Sequence, residues 1–157
     1  MKPNLIFGDP DAARVELLRQ GFASHPEITA CAVKSAELTR ATGADAIFLT
    51  IMAAERWGAK PITHQAQVLR TNQEDQFMGW PAFVIAGVAA KPGDPRDPEF
   101  ELRMIVLAVL RAATSFNAAS EQPVRHVAFG PEWIGIKKLA PLKAAEIICS
   151  AYDETHD

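Results

Sequence analysis

Between His126 and Ile148 the chain reads HVAFGPEWIGIKKLAPLKAAEII: an apolar strand, a turn flanked by Gly130 and Gly135, and a helix entered through Pro141. Such a turn aims backbone amides and the positive end of a helix dipole at its hollow, which suits a phosphate group. Glycine supplies the close backbone approach and the positive φ that a phosphate cradle needs. Within the turn, Pro131 removes one donor and Glu132 adds a negative charge, while Lys137 and Lys138 stand ready to offset it. The competing reading is a plain strand-to-helix connection in which Trp133 covers the core.

Other residues carry chemistry with less context. Asp9 closes an apolar run, where it is either a functional acid at a strand end or a helix N-cap. Thr50, at another strand end, has a hydroxyl for a ligand and a β-branched side chain suited to a strand. Arg56 and Trp57 could pair with and stack on an anionic group. His25, His64, His126 and His156 show no metal-ligand spacing with one another or with Cys31 and Cys149. Neither cysteine has the basic neighbours of an activated thiolate. No nucleophile elbow and no Gly-Lys-Ser/Thr cradle occurs. The expectation is therefore no catalytic residue, no metal and no cofactor.

These residues need elements to position them. With 157 residues, 48% of them hydrophobic, the chain is long enough for one domain with a real core. Strands are expected at Asn4–Gly8, Glu27–Val33, Asp45–Ile51, His64–Arg70 (half exposed), Pro81–Ala89 and in VRHVAFG. Asp9-Pro10-Asp11 reads as an N-cap, a first helical proline and a first-turn acid, ahead of a helix bearing Ala12, Val15, Leu18 and Phe22. KPGDPRDP, Lys91–Pro98, reads as an irregular loop. The longest helix opens at Asp97-Pro98-Glu99 and runs to about Asn117, with Leu102, Ile105, Val106, Val109, Ala113 and Phe116 on one stripe. A last helix spans Pro141 to Tyr152. Strands alternating with helices give an α/β fold: a three-layer α/β/α sandwich around a mixed, largely parallel sheet, as a single domain over residues 1–157.

The formal net charge of −3 argues against a nucleic-acid partner, and no uncharged apolar run approaches the roughly 20 residues that cross a bilayer. Two cysteines in apolar runs and no signal-like start lead to the expectation of a reduced, cytoplasmic protein.

In order and length the pieces LIFGDPDAARVELLRQGFASHPEITACAVKSAEL, GADAIFLT, PITHQAQVLRTNQEDQFMGWPAFVIAGVAAKPGDP and VRHVAFGPEWIGIKKLAPLKAAEIICSAY resemble the macro domain family. These are ADP-ribose-binding α/β modules, and the likeness is to stand-alone bacterial and phage members. The resemblance implies a ligand site for ADP-ribose or a related nucleotide at Ser35, Thr50, Met52, Gly87, Gly130, Trp133, Ile134, Gly135 and Ile136. Ser35 stands where the family places an Asp for the adenine amino group. Met52 stands where a ribose-contacting Asn is expected, so the implied module binds without efficient turnover. A structural or interaction protein keeping the fold alone is a second reading. An active ADP-ribosyl hydrolase using Glu55 or Arg56 is a third. LIFGDPD and DAIFLTI also suggest a response-regulator receiver, although Thr50 occupies the phospho-acceptor position.

Overall fold

Period-two alternation places opposite residues of each strand on opposite faces of a sheet, and here both faces are apolar. The computed structural model describes residues 1–60, 62, 65–87 and 97–156. Its strands are β1 (Asn4–Asp9), β2 (Ile28–Ala32), β3 (Ala46–Thr50), β4 (Ala66–Arg70), β5 (Phe83–Gly87) and β6 (His126–Phe129). They form one six-stranded sheet in the order β2-β1-β6-β3-β5-β4. β4 runs antiparallel to β5, and the other neighbours are parallel. The fold is thus the expected α/β type with a mixed, mostly parallel sheet. His64, Val88 and Ala89 of the expected strands, and most of the Lys91–Pro98 loop, lie outside the described residues.

The helices are α1 (Ala12–Gly21), α2 (Leu38–Thr42), α3 (Gln73–Phe77), α4 (Pro98–Ala119), α5 (Pro131–Ile134) and α6 (Pro141–Glu154). The long ones, α1, α4 and α6, cover one face. There Phe7, Phe129 and Phe48 stack across β1, β6 and β3 with ring centroids 4.7 and 5.6 Å apart, and Leu102, Val106, Val109 and Ile148 close over them. By length and composition α4 could cross a membrane; its Leu102–Leu110 stretch is instead largely buried in this core. The other face is built from Ile47, Leu49, Val84, Ala86 and Ala128, and its cover is thin: Leu38 of α2, Ala54, Trp57 and Trp80.

Two glycines set the layer spacing. A Cβ on Gly21 would lie 2.3 Å from the Cβ of Ala145, so α1 and α6 touch there. A Cβ on Gly8 would lie 2.4 Å from Cδ1 of Leu38, which holds α2 against β1.

The start of α1 differs from expectation. Asp11, not Asp9, is the N-cap, accepting from the amides of Ala13 and Arg14, and Pro10 stands outside the helix. Asp9 is still part of β1, paired with Ala32, and its carbonyl accepts from Val33. That ladder holds it in the sheet, where its buried Oδ1 accepts from Asp11 N and its Oδ2 lies 3.5 Å from Arg14 Nε.

Candidate functional site

The thin face contains a cleft of about 450 Å³, within the size range of small-molecule sites. Its floor is Ile47 and Leu49 of β3, and its walls include Ser35, Arg40, Trp80, Glu132 and Trp133. Topology orders these groups along the sheet. Ser35 follows β2 and Glu132 follows β6, so both stand at the carboxyl ends of parallel strands. Arg40 precedes β3 and Gly79 precedes β5, which puts them toward the amino ends. The cleft therefore crosses the sheet face lengthwise.

At the carboxyl end the Ser35 hydroxyl donates to Glu132 Oε2 at 2.9 Å, bridging segments 97 positions apart. Gly130 makes room for this arrangement. A Cβ there would meet Glu132 Oε1 at 3.2 Å and Trp133 Cδ1 at 3.3 Å. At the other end the Arg40 guanidinium lies over Gly79, where φ is +106° and an added Cβ would stand only 3.1 to 3.6 Å from the guanidinium atoms. Among the described residues Arg40 has no carboxylate within ion-pair distance, and its side chain is exposed.

Trp80 owes its position to a buried carboxylate. α3 begins with a capping box: Asn72 accepts from Asp75 N at 2.7 Å, and Asp75 Oδ2 accepts from Asn72 N at 3.1 Å. The same Asp75 accepts from Trp57 Nε1 at 2.9 Å and from the Arg56 guanidinium. Trp57 in turn meets Trp80 edge-on, with centroids 4.9 Å apart. The Trp57 and Asn72 hydrogen bonds, joined by the Arg56 charge, hold the Asp75 carboxyl below its ordinary range.

The residues expected from the sequence scatter around this cleft. Ser35 and Trp133 line it. Gly130 seats two of its side chains. Thr50 ends β3 and accepts from Ala54 N through its carbonyl, and Met52 beyond it is 87% exposed. Gly87 ends β5 against Phe48, where a Cβ would come within 3.2 Å of the ring. Ile134 and Ile136 point into the helix-covered core at 3% and 2% exposure. Gly135, at φ 65°, joins α5 to the short 3-10 turn Ile136–Lys138. The turn expected to cradle a phosphate is thus largely helical, anchored by its two isoleucines, and the Glu132 carboxylate and Trp133 indole take the space over Gly130 where the phosphate was expected.

Arg40, Gly79 and Trp80 were missed by sequence reading. Asn72 and Asp75, spaced as a capping box, were the available signal that a helix precedes Trp80. A separate polar cluster lies near the amino end of β2: His25 contacts Ser24 Oγ through Nδ1 at 2.9 Å and Asp153 through Nε2 at 2.9 Å. Ser24 and the Asp153 carboxylate there are exposed, and none of the three borders the cleft.

Burial pushes the Cys31 thiol up, and burial with the nearby Asp153 and Glu27 charges pushes Cys149 up to about 11. Both thiols are therefore protonated at neutral pH. Among the described residues no three His, Cys, Asp or Glu side chains gather as a metal site. Neither a protein-family model nor a curated protein sequence matches this chain.

Proposed function

We propose that the sheet-face cleft binds a nucleotide-type small molecule, with ADP-ribose the first ligand to try, and does not turn it over. One observation carries this reading: two indoles, Trp80 and Trp133, stand over an aliphatic floor in the same cleft as the Arg40 guanidinium, which has no ion-pair partner among the described residues. Indole faces suit a flat heteroaromatic ring, and stacking of a base on an aromatic side chain contributes about 1–3 kcal/mol. A guanidinium suits a phosphate, which it can hold through two parallel N–H donors. Ser35 and Glu132 add polar groups that fix orientation without making the cleft hydrophilic throughout. A module that binds without turnover is favoured because Met52, at the expected ribose-contacting position, lies out in solvent away from the cleft.

Titration calorimetry with ADP-ribose and with purine mononucleotides tests the reading. Binding is expected, with melting stabilised by about 2.7 kcal/mol at a hundred times the dissociation constant. Arg40→Ala, an exposed change, is expected to weaken it by roughly 10–100-fold, the value of a hydrogen bond to a charged group. Absence of heat and of any melting shift with every one of these ligands at millimolar concentration would overturn it.

A further inference from the structure

We infer that the base taken by this cleft is one presenting two adjacent N–H donors, a guanine-type ring on a free phosphate-bearing nucleotide, and that Glu132 reads it. The inference rests on the nucleotide reading of the same cleft and goes further by choosing the base.

An ionised carboxylate accepts hydrogen bonds and donates none. One lone pair on Glu132 Oε2 is already taken by the Ser35 hydroxyl at 2.9 Å, which tethers the carboxylate at this end of the cleft. Among the described residues no other hydrogen bond or ion pair to Glu132 is formed, which leaves the rest of its capacity for donors brought by a ligand. The next residue is Trp133, and both side chains occupy the space over Gly130, at 3.2 and 3.3 Å from where its Cβ would be. A ring stacked on that indole has an edge within reach of the neighbouring carboxylate.

Base edges differ in what they offer. Adenine places an amino donor beside a ring-nitrogen acceptor, and that acceptor would set a lone pair against a carboxylate oxygen. Guanine places a ring N–H beside an amino N–H, two donors for two oxygens in a fork geometry. Hypoxanthine keeps the ring N–H and lacks the amino group. The order of preference that Glu132 imposes is therefore guanine, then hypoxanthine, then adenine. Arg40, displaced toward the amino ends of the strands, is left for the phosphate. Charge in the cleft thus runs from acceptor to cation in the sense that such a nucleotide requires.

The experiment is titration calorimetry of the full chain with GMP, IMP and AMP, which share sugar, phosphate and purine face. GMP is expected to bind roughly 10–100-fold tighter than AMP, the value of one good bidentate base contact, with IMP between. Glu132→Gln replaces two acceptors by one acceptor and one donor, the set that matches adenine. It is expected to reduce GMP affinity by at least about tenfold while leaving AMP unchanged or improved. Ser35→Ala, monitored with circular dichroism for retained fold, is expected to shrink the GMP preference by freeing the carboxylate to rotate. AMP or ADP-ribose binding as tightly as GMP overturns the inference and leaves the nucleotide reading standing. So does a GMP preference that Glu132→Gln does not alter. A guanine-bearing single strand of RNA binding where GMP does not overturns the free-nucleotide assignment. No binding by any of them removes both readings together.

Discussion

Asp75 is 4% exposed, yet it carries a charge, and the donors around it explain how. Trp57 Nε1, the Asn72 amide and the Arg56 guanidinium all converge on its two oxygens. Each favours the ionised form, so the folded carboxyl has a lower pKa than the same group in the unfolded chain. The sign of the pH effect follows from linkage. Asp75 adds stability that is fully present above the ordinary Asp value, near 4, and is lost as pH falls through the lowered folded value. Asp75→Asn turns one acceptor into a donor that must face either the Arg56 guanidinium at one oxygen position or the Trp57 and Asn72 N–H groups at the other. The variant is expected to melt below the wild type at pH 7, and the gap is expected to narrow as pH falls below about 4. Thermal melts of both proteins from pH 7 to pH 3 check this; a gap constant across that range would exclude the carboxylate as its source. Because Trp57 props Trp80, the variant is also expected to weaken ligand binding to the cleft.

At the scale of elements, what the sequence revealed depended on length and on who supplies the stability. α4 was legible because Leu102, Ile105, Val106, Val109 and Ala113 repeat over several turns, and all of them are buried. β3 and β5 were legible as short apolar runs, since a strand covered on both faces needs no alternation. α2, α3 and α5 span four or five residues each. That is too short for a period to register, and helices of such length persist through caps and tertiary contacts. The cleft was less legible still. Ser35 and Glu132 meet because β6 inserts between β1 and β3, a topological fact with no local trace in either segment. Gly21 shows the same limit: it ends α1, and only the structure makes it a point of contact with α6. Gly21→Ala should gain up to about 1 kcal/mol of helix propensity. Against that stands a Cβ only 2.3 Å from the Ala145 Cβ, an overpacking that costs about 1–3 kcal/mol. Net destabilisation is expected, and adding Ala145→Gly should recover part of it by vacating that space. Denaturant melts of the two single variants and the double variant decide whether the two sites couple.

At the scale of the molecule the two faces of the sheet are unequal. Helices of 10, 22 and 14 residues cover one; the other has five-residue helices, 3-10 turns and aromatic side chains. Cooperative stability follows buried apolar contact, so local opening should begin on the thin face while the phenylalanine stack and its helices stay closed. Binding sites tend to be drawn from such low-stability regions, since a ligand must enter and leave. Hydrogen exchange with mass detection is expected to show α2 and the Met78–Trp80 segment exchanging well before α4, β3 and β6. A nucleotide in the cleft would bridge α2 to that segment and to α5, adding to the Arg40 approach to Gly79 and to the Ser35–Glu132 bond made just before α2. Ligand is therefore expected to slow exchange in α2, Met78–Trp80 and Glu132–Trp133 together, leaving α1 and α6 unchanged. Protection confined to the helical layer instead would place the ligand on the opposite face, because a molecule bound over Ile47 and Leu49 has the whole thickness of the sheet between it and α4.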